Sequence, residues 1–256
     1  MAEHKKLCSV IIPAYNCERT IRCSVESALF QSYDVLEVLI ADDASTDNTG
    51  YVLKDLAAED SRIKLFFLEK NGGVAEARNR LLSEAKGDYI AFLDADDIWE
   101  PEKVAKHIAL LQSSDADFTY SSYSFIDKDA KEIGKPKIVP TACSMQDILK
   151  ENFILCSSVV MKGSLAKLYK MDGSYSHEDL VYWLTLFQGG CKAVGTSDVL
   201  VQYRLYDQNR SGNKKKAAKD RWIVYRKFLR MNVFSSFWYF FIYALHGVKK
   251  YRGLKK

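Results

Sequence analysis

Three aspartates, Asp94, Asp96 and Asp97, stand at the end of an apolar run in the segment YIAFLDADD, residues 89–97. Carboxylates this close repel one another by about 1 kcal/mol per pair even in a water-like dielectric at contact distance. A divalent cation makes the arrangement favourable, and oxygen-only ligation suits Mg²⁺ or Mn²⁺, often shared with phosphate. The competing reading is a helix N-cap with solvated charges ahead of Ile98-Trp99-Glu100-Pro101. Asp42 and Asp43 close another apolar run and precede Ser45-Thr46-Asp47. A carboxylate there can accept hydrogen bonds from a ligand base or sugar, or cap the helix that starts near Asn48. Both roles fit together, with Asp47 as cap and Asp43 as ligand contact. Arg78 follows Asn71-Gly72-Gly73 on a helix, where a guanidinium can grip a diphosphate with two parallel hydrogen bonds or simply face water. His177-Glu178-Asp179 precedes LVYWLTLF. Acidic residues at a helix start favour the macrodipole, and one of them can equally serve as a general base at the mouth of a site.

These residues need a scaffold, and the pattern supplies one. Residues 8–13 are a continuous run of buried-strand type. Residues 17–31 place Ile21, Val25, Ala28 and Leu29 on one helical face. Strands are expected at 35–41, 63–69, 89–97 and 117–127. Helices are expected at 49–58, at 74–85 after the Gly72-Gly73 turn, and at 101–112 opened by Pro101. This alternation argues for an α/β fold with a mostly parallel sheet and helices on both faces. In such sheets ligands bind beyond the carboxyl ends of the strands. Ala14–Asn16, Asp42–Asp47, Asn71–Gly73 and Asp94–Asp97 all fall at those ends. Beyond residue 130 the rhythm weakens to a loop or hairpin, a short helix near 144–152, the apolar segment FILCSSVVM and a helix from Glu178. Residues 208–219 read as a polar loop, followed by helices at about 217–231 and 233–248.

Composition narrows the class. Charged residues are 27% and hydrophobic ones 48%, which excludes low-complexity disorder and a many-span membrane protein. The net charge of +4 conceals a division. Residues 204–256 hold 15 Lys and Arg against 2 Asp and Glu, and the first 203 residues hold 22 against 31. A basic tail thus follows an acidic body, which suggests contact with an anionic surface, membrane or nucleic acid. The six cysteines form no C-x-x-C pair, and Cys8 and Cys156 lie in apolar runs, so free buried thiols are expected. With no signal-peptide core ahead of residue 8, a cytoplasmic location is expected. No stretch is apolar and long enough to span a membrane.

Taken together, SVIIPAYN (9–16), LIADDASTDNT (39–49), NGGVAEARN (71–79), GDYIAFLDADDIWEP (87–101), EDLVYWLTL (178–186) and VQYRLYDQNRSGNK (201–214) resemble a family 2 glycosyltransferase of the GT-A fold. The pieces occur in the family's order and cover most of residues 8–214. The resemblance implies a Rossmann-like sheet, a UDP-sugar donor and an inverting transfer of a hexose or N-acetylhexosamine. It implies that Pro13, Ala14, Tyr15 and Glu18 line the nucleotide pocket and that Asp43 bonds the uracil. It further implies that Arg78 lies near the nucleotide and that Asp94-Ala95-Asp96 is the family's DxD motif. In that motif Asp96 binds Mn²⁺ or Mg²⁺ and Asp94 contacts the ribose or the metal. Asp179 takes the position of the catalytic base. Tyr206 stands where many members carry a His metal ligand, and Arg210 is a candidate to close over the donor instead. Similar bacterial enzymes act on lipid-linked saccharides in lipopolysaccharide O-antigen or capsule assembly, which implies such an acceptor here.

The expected division is a catalytic domain over 1–215 and a helical extension over 216–256. Within it, VFSSFWYFFIYAL (233–245) holds seven aromatic residues and no charge. As a helix its 13 residues span about 20 Å against about 30 Å for a bilayer core. Aromatic residues flanked by Lys and Arg suit a peripheral membrane element; packing on the body is the alternative. A nucleotidyltransferase could also use paired carboxylates on such a sheet, but PAYNCERT is not its Gly-rich signature loop. A nucleic-acid-binding module built on the basic tail is the remaining class. The acidic strand ends argue against it, and no nucleic-acid partner is expected.

Overall fold

The computed structural model of the chain describes residues 6–206 and 214–253. Its first half is a parallel sheet built on β1 (Cys8–Ala14), whose Val10, Ile11 and Ile12 are fully buried. β2 (Val35–Asp42) pairs parallel with β1, β3 (Ile63–Phe67) with β2, and β4 (Tyr89–Phe92) with the other edge of β1. Strands covered on both faces read as unbroken apolar runs. The helices α1 (Ile21–Leu29), α2 (Thr49–Glu59) and α3 (Val74–Glu84) fill the connections, and α3 packs on β1 and β2.

After β4 come β5 (Ile98–Trp99), α4 (Lys103–Ser113), β6 (Phe118–Ile126), β7 (Glu132–Lys137), α5 (Met145–Lys150), β8 (Val160–Lys162), α6 (Gly163–Leu168), α7 (Glu178–Gln188) and β9 (Ala193–Arg204). The strand order is β3-β2-β1-β4-β8-β6-β9-β5, with β7 on β6. β8 enters antiparallel between β4 and β6, and β6 runs parallel to β9. α7 lays Trp183 across this seam, stacked on Phe118 at 5.7 Å and edge-on to Phe92 at 6.1 Å. Such ring pairs add to simple burial. The cysteines are free, and burial pushes the Cys8 thiol up to about 12, which makes it inert.

Several expected boundaries shift. The strand expected at 89–97 ends at Phe92, because pairing with β1 stops at Ile11 and the Asp97 amide turns back to the Asp94 carbonyl. The strand expected through residue 69 ends at Phe67. The helix expected from residue 17 starts at Ile21, since the Cys17 carbonyl first accepts the amides of Thr20 and Ile21 in a turn. The polar segment 208–219 is helical from Lys214 onward.

The extension is α8 (Lys214–Ile223), a π-helical turn (Val224–Phe228) and α9 (Val233–Gly253). Arg221 and the Tyr225 hydroxyl donate to the carbonyls of Ile148 and Leu149 on α5, and His246 meets Glu151. Trp222 packs against Phe237 and Phe240, and Tyr225 against Tyr239. The extension therefore packs on the body. Among the described residues, no helix is long and apolar enough to cross a membrane.

Candidate active site

The carboxyl ends of β1, β2 and β4 open onto one cavity of about 1030 Å³. The end of β1 lines it with Pro13 and Ala14, and the loop that follows lines it with Tyr15 and Glu18. That loop is tied to its neighbour: the Asp43 amide donates to the Ala14 carbonyl, and the Asn16 side chain accepts the Thr46 amide. Asn16 and Ala44 both adopt positive φ, unusual for non-glycine residues and held here by this cross-bracing. Asp47 accepts the amides of Thr49 and Glu18 and so fixes the first loop, but the cap position of α2 falls on Asn48, without a side-chain cap bond, rather than on Asp47 as expected.

Asp43 reaches the cavity but is already engaged. Its two carboxylate oxygens accept the amides of Gly72 and Gly73, both at 2.8 Å. Gly73 sits at φ +86°, a conformation glycine adopts without strain. The carboxylate thus clamps the turn that starts α3, with lone pairs left over for a ligand. Arg78, one turn into α3, is not a solvent-facing helical arginine: it is 4% exposed. Its Nη2 donates to Asp94 at 2.5 Å and its Nη1 lies 3.7 Å from Glu178. Its Nε has no hydrogen-bond partner among the described residues.

Asp94, Ala95 and Asp96 form the floor. Ser157, in a short 3₁₀ turn (Cys156–Ser158), accepts the Asp94 amide and donates to Asp97. Asp97 also accepts the Arg204 amide, and Arg204 Nε donates to the Asp96 carbonyl. Asp97 is therefore a buried brace. Burial and the charges of Asp96 and Asp94 raise its carboxyl well above the usual range. Burial, followed by the Asp94 charge, raises the Asp96 carboxyl to about 6. Arg78 answers the Asp94 charge but no described side chain pairs directly with the raised Asp96 carboxyl, and the pair's all-oxygen donor set fits a divalent cation. Among the described residues no third His, Cys, Asp or Glu joins the pair. Tyr206 lines the cavity beside them and shares a hydrogen bond with Thr20. Arg210 lies outside the described residues.

At the far wall α7 begins. Glu178 lines the cavity, whereas Asp179, the next residue on the same first turn, is not among the lining residues. The Asp179 carboxylate accepts the Asn152 side chain at 3.1 Å. His177 Nε2 meets the Ala217 carbonyl at 3.3 Å, so the extension touches this wall. The structure thus gathers Pro13, Ala14, Tyr15, Glu18, Asp43, Arg78, Asp94, Ala95 and Asp96 around one cavity and sets Asp179 at its border. Sequence reasoning missed Ser157, Asn152, Lys128 and the lining role of Glu178. The one signal for Ser157 was a serine pair inside an apolar run.

A mostly parallel sheet whose acidic strand ends line one cavity has the arrangement expected of the GT-A fold. The chain belongs to glycosyl transferase family 2, whose model matches residues 9–172. It is 37% identical over 250 residues to a protein of Bacillus subtilis (strain 168) named "Putative teichuronic acid biosynthesis glycosyltransferase TuaG". That match covers 98% of this chain and 99% of the relative. It is 35% identical over 246 residues to WfgD of Escherichia coli, a UDP-Glc:alpha-D-GlcNAc-diphosphoundecaprenol beta-1,3-glucosyltransferase, covering 96% and 95% of the two. The crystal structure of S. aureus TarS 1-349 in complex with UDP-GlcNAc shares the fold, with a TM-score of 0.70 at 22% identity. This chain contributes 86% of its length to that match and spans 64% of the TarS chain.

Proposed function

We propose that the protein transfers a hexose or N-acetylhexosamine from a UDP-sugar to a lipid-linked saccharide, with inversion, in bacterial surface-polysaccharide assembly. The single observation that carries this is the convergence of the strand-end motifs on one cavity whose floor is the Asp94–Asp96 pair. The relatives' names support the substrate classes: WfgD is named for a UDP-Glc donor and a diphosphoundecaprenol-linked acceptor. Acidic strand ends would also serve a nucleotidyltransferase; the family match and the relatives' names favour sugar transfer over it.

In this reading Pro13, Ala14, Tyr15 and Glu18 enclose the uridine, and Asp43 bonds the uracil while clamping Gly72 and Gly73. Arg78 holds Asp94 in place beside the donor. Asp96, with Asp94, holds Mn²⁺ or Mg²⁺; the cation supplies Lewis-acid neutralisation of the charge that develops on the leaving diphosphate. Asp179, oriented by Asn152, takes the proton from the acceptor hydroxyl as that oxygen attacks the anomeric carbon from the face opposite UDP. The new C–O bond forms as the bond to the diphosphate breaks, so an α-linked donor gives a β-linked product. Residues 1–215 form the catalytic unit and 216–256 an extension that works at the cytoplasmic face of an anionic membrane. The test is a screen of UDP-sugars for Mn²⁺-dependent thermal stabilisation and hydrolysis. A UDP-sugar that stabilises only with the metal supports the reading, and indifference to every UDP-sugar overturns it.

A further inference from the structure

α9 has two apolar faces, and only one is covered. Ser236, Tyr239, Phe240 and Tyr243 turn inward; Phe240 and Tyr239 meet Trp222 and Tyr225, and Arg221 lies 4.6 Å over the Tyr243 ring. On the outer face Phe234, Trp238, Phe241 and Leu245 recur at helical spacing and stay exposed, Phe234 at 88% and Trp238 at 63%, while Phe237 stands at the margin against Trp222. Four large apolar side chains in one stripe are more than the singly scattered exposed hydrophobics of an ordinary surface.

We propose that this stripe is a docking face that lies in the interface of an anionic bilayer, parallel to the membrane plane. Three observations select that occupant. The uncharged segment 233–245 is too short to span a bilayer core at about 1.5 Å per residue. Exposed Lys219, Lys227 and Arg230 lie on the same extension, and residues 204–256 carry 15 basic residues against 2 acidic ones. A second copy of the chain would bring that same positive charge against itself, whereas anionic lipid headgroups complement it. Aromatic side chains flanked by Lys and Arg are the chemistry that settles at the headgroup level. The attachment to the body gives the docking a purpose. α9 and α8 are fixed to α5 and Glu151, Asn152 follows directly and holds Asp179, and Ala217 touches His177. A membrane-bound α9 is thereby linked to the wall where a lipid-linked acceptor would react. The docking face deepens the membrane-facing role proposed above for residues 216–256, and the link to the acceptor wall rests on the sugar-transfer reading.

The experiment is co-sedimentation of the full chain with vesicles of phosphatidylglycerol and phosphatidylcholine in equal parts, without sugar substrates. Binding is expected, weakening with salt and lost on pure phosphatidylcholine. The triple variant F234S/W238S/F241S is expected to lower vesicle affinity at least about tenfold, with an unchanged melting midpoint and unchanged UDP affinity. Should that variant misfold, quenching of Trp238 by brominated lipid in the unaltered chain, with W238F as reference, gives the same answer. Equal affinity of the triple variant, equal binding to neutral vesicles, absence of quenching, or a dimer in light scattering that the variant dissolves would each overturn the proposal. Loss of UDP binding by the unaltered chain would fault the donor reading and leave the docking result standing.

Discussion

The two ends of the chain hold their functional groups by different means. In the parallel half, three cavity residues are locked by backbone hydrogen bonds from a neighbouring strand-end loop: Asp43 to Gly72 and Gly73, Asn16 to Thr46, Asp47 to Glu18. At the acceptor wall, Asp179 rests on one side-chain amide, and the segment that supplies it is held from outside by the extension. On the proposed function, the difference means that donor binding would be preorganised by the sheet, whereas the acceptor side would depend on a long-range, more easily loosened contact. Substitutions at the two ends should therefore separate donor affinity from transfer.

The largest separation is expected from Asp179→Asn. Removing a general base costs about 10²–10⁴-fold, so transfer in single-turnover assays should collapse while calorimetric UDP-sugar affinity is kept. Near-normal turnover would shift the base role to Glu178, which lines the cavity. Asp96→Ala should do the reverse at the donor side. Mn²⁺-dependent UDP affinity should fall by about two orders of magnitude, with vesicle binding by α9 unchanged. Unaltered UDP affinity in Mn²⁺ would remove Asp96 as a metal ligand.

The same contrast explains what the sequence made legible. Pro13, Ala14, Asp43 and Asp94–Asp96 sit at the ends of apolar runs, and a strand end is a local signal that places a residue on the ligand side of a parallel sheet. What those residues bond to was not legible, because the partners are remote. Ser157 reaches Asp94 and Asp97 across some 60 positions, and Arg204 braces Asp96 and Asp97 from more than 100 away. The strand expected through 97 failed for the same reason: pairing with β1, not propensity, ends it at Phe92. In α9 the seven aromatics of residues 233–245 surround the helix and leave no single apolar stripe to read. Only contact with Trp222 and Tyr225 determines which face is covered.

Intermediate effects should fall on the links between the regions. Asn152→Ala frees the Asp179 carboxylate and should lower kcat about tenfold with donor KM unchanged, since a displaced catalytic group loses orientation rather than ground-state binding. A shifted acidic limb in the pH–rate profile would distinguish lost positioning of the base from a general loosening of the wall. The donor side should show its own pH signature. The raised Asp96 carboxyl, at about 6, keeps a proton that the unfolded chain has lost above the ordinary carboxylate range. Cation-free stability should therefore fall as pH rises through that window. Divalent-ion affinity should rise across it, by up to about tenfold per unit as ion and proton compete. Mn²⁺ titrations at pH 5 and pH 7 measure this, and a flat response would remove Asp96 from the cation site.

The smallest effect should come from Tyr225→Phe. The phenol donates to the Leu149 carbonyl at 2.6 Å while the ring is packed beside Tyr239, so the substitution keeps the packing and removes one buried hydrogen bond. The carbonyl left behind costs about 1 kcal/mol, visible as a modest fall in the melting midpoint. If the extension steadies the acceptor wall, transfer to a lipid-linked acceptor should fall with it by a small factor while UDP affinity stays fixed. A drop in stability with no change in transfer would make the contact between α8 and α5 a matter of fold alone. The coupling of the tail to Asp179 would then have to run through His177 and Ala217.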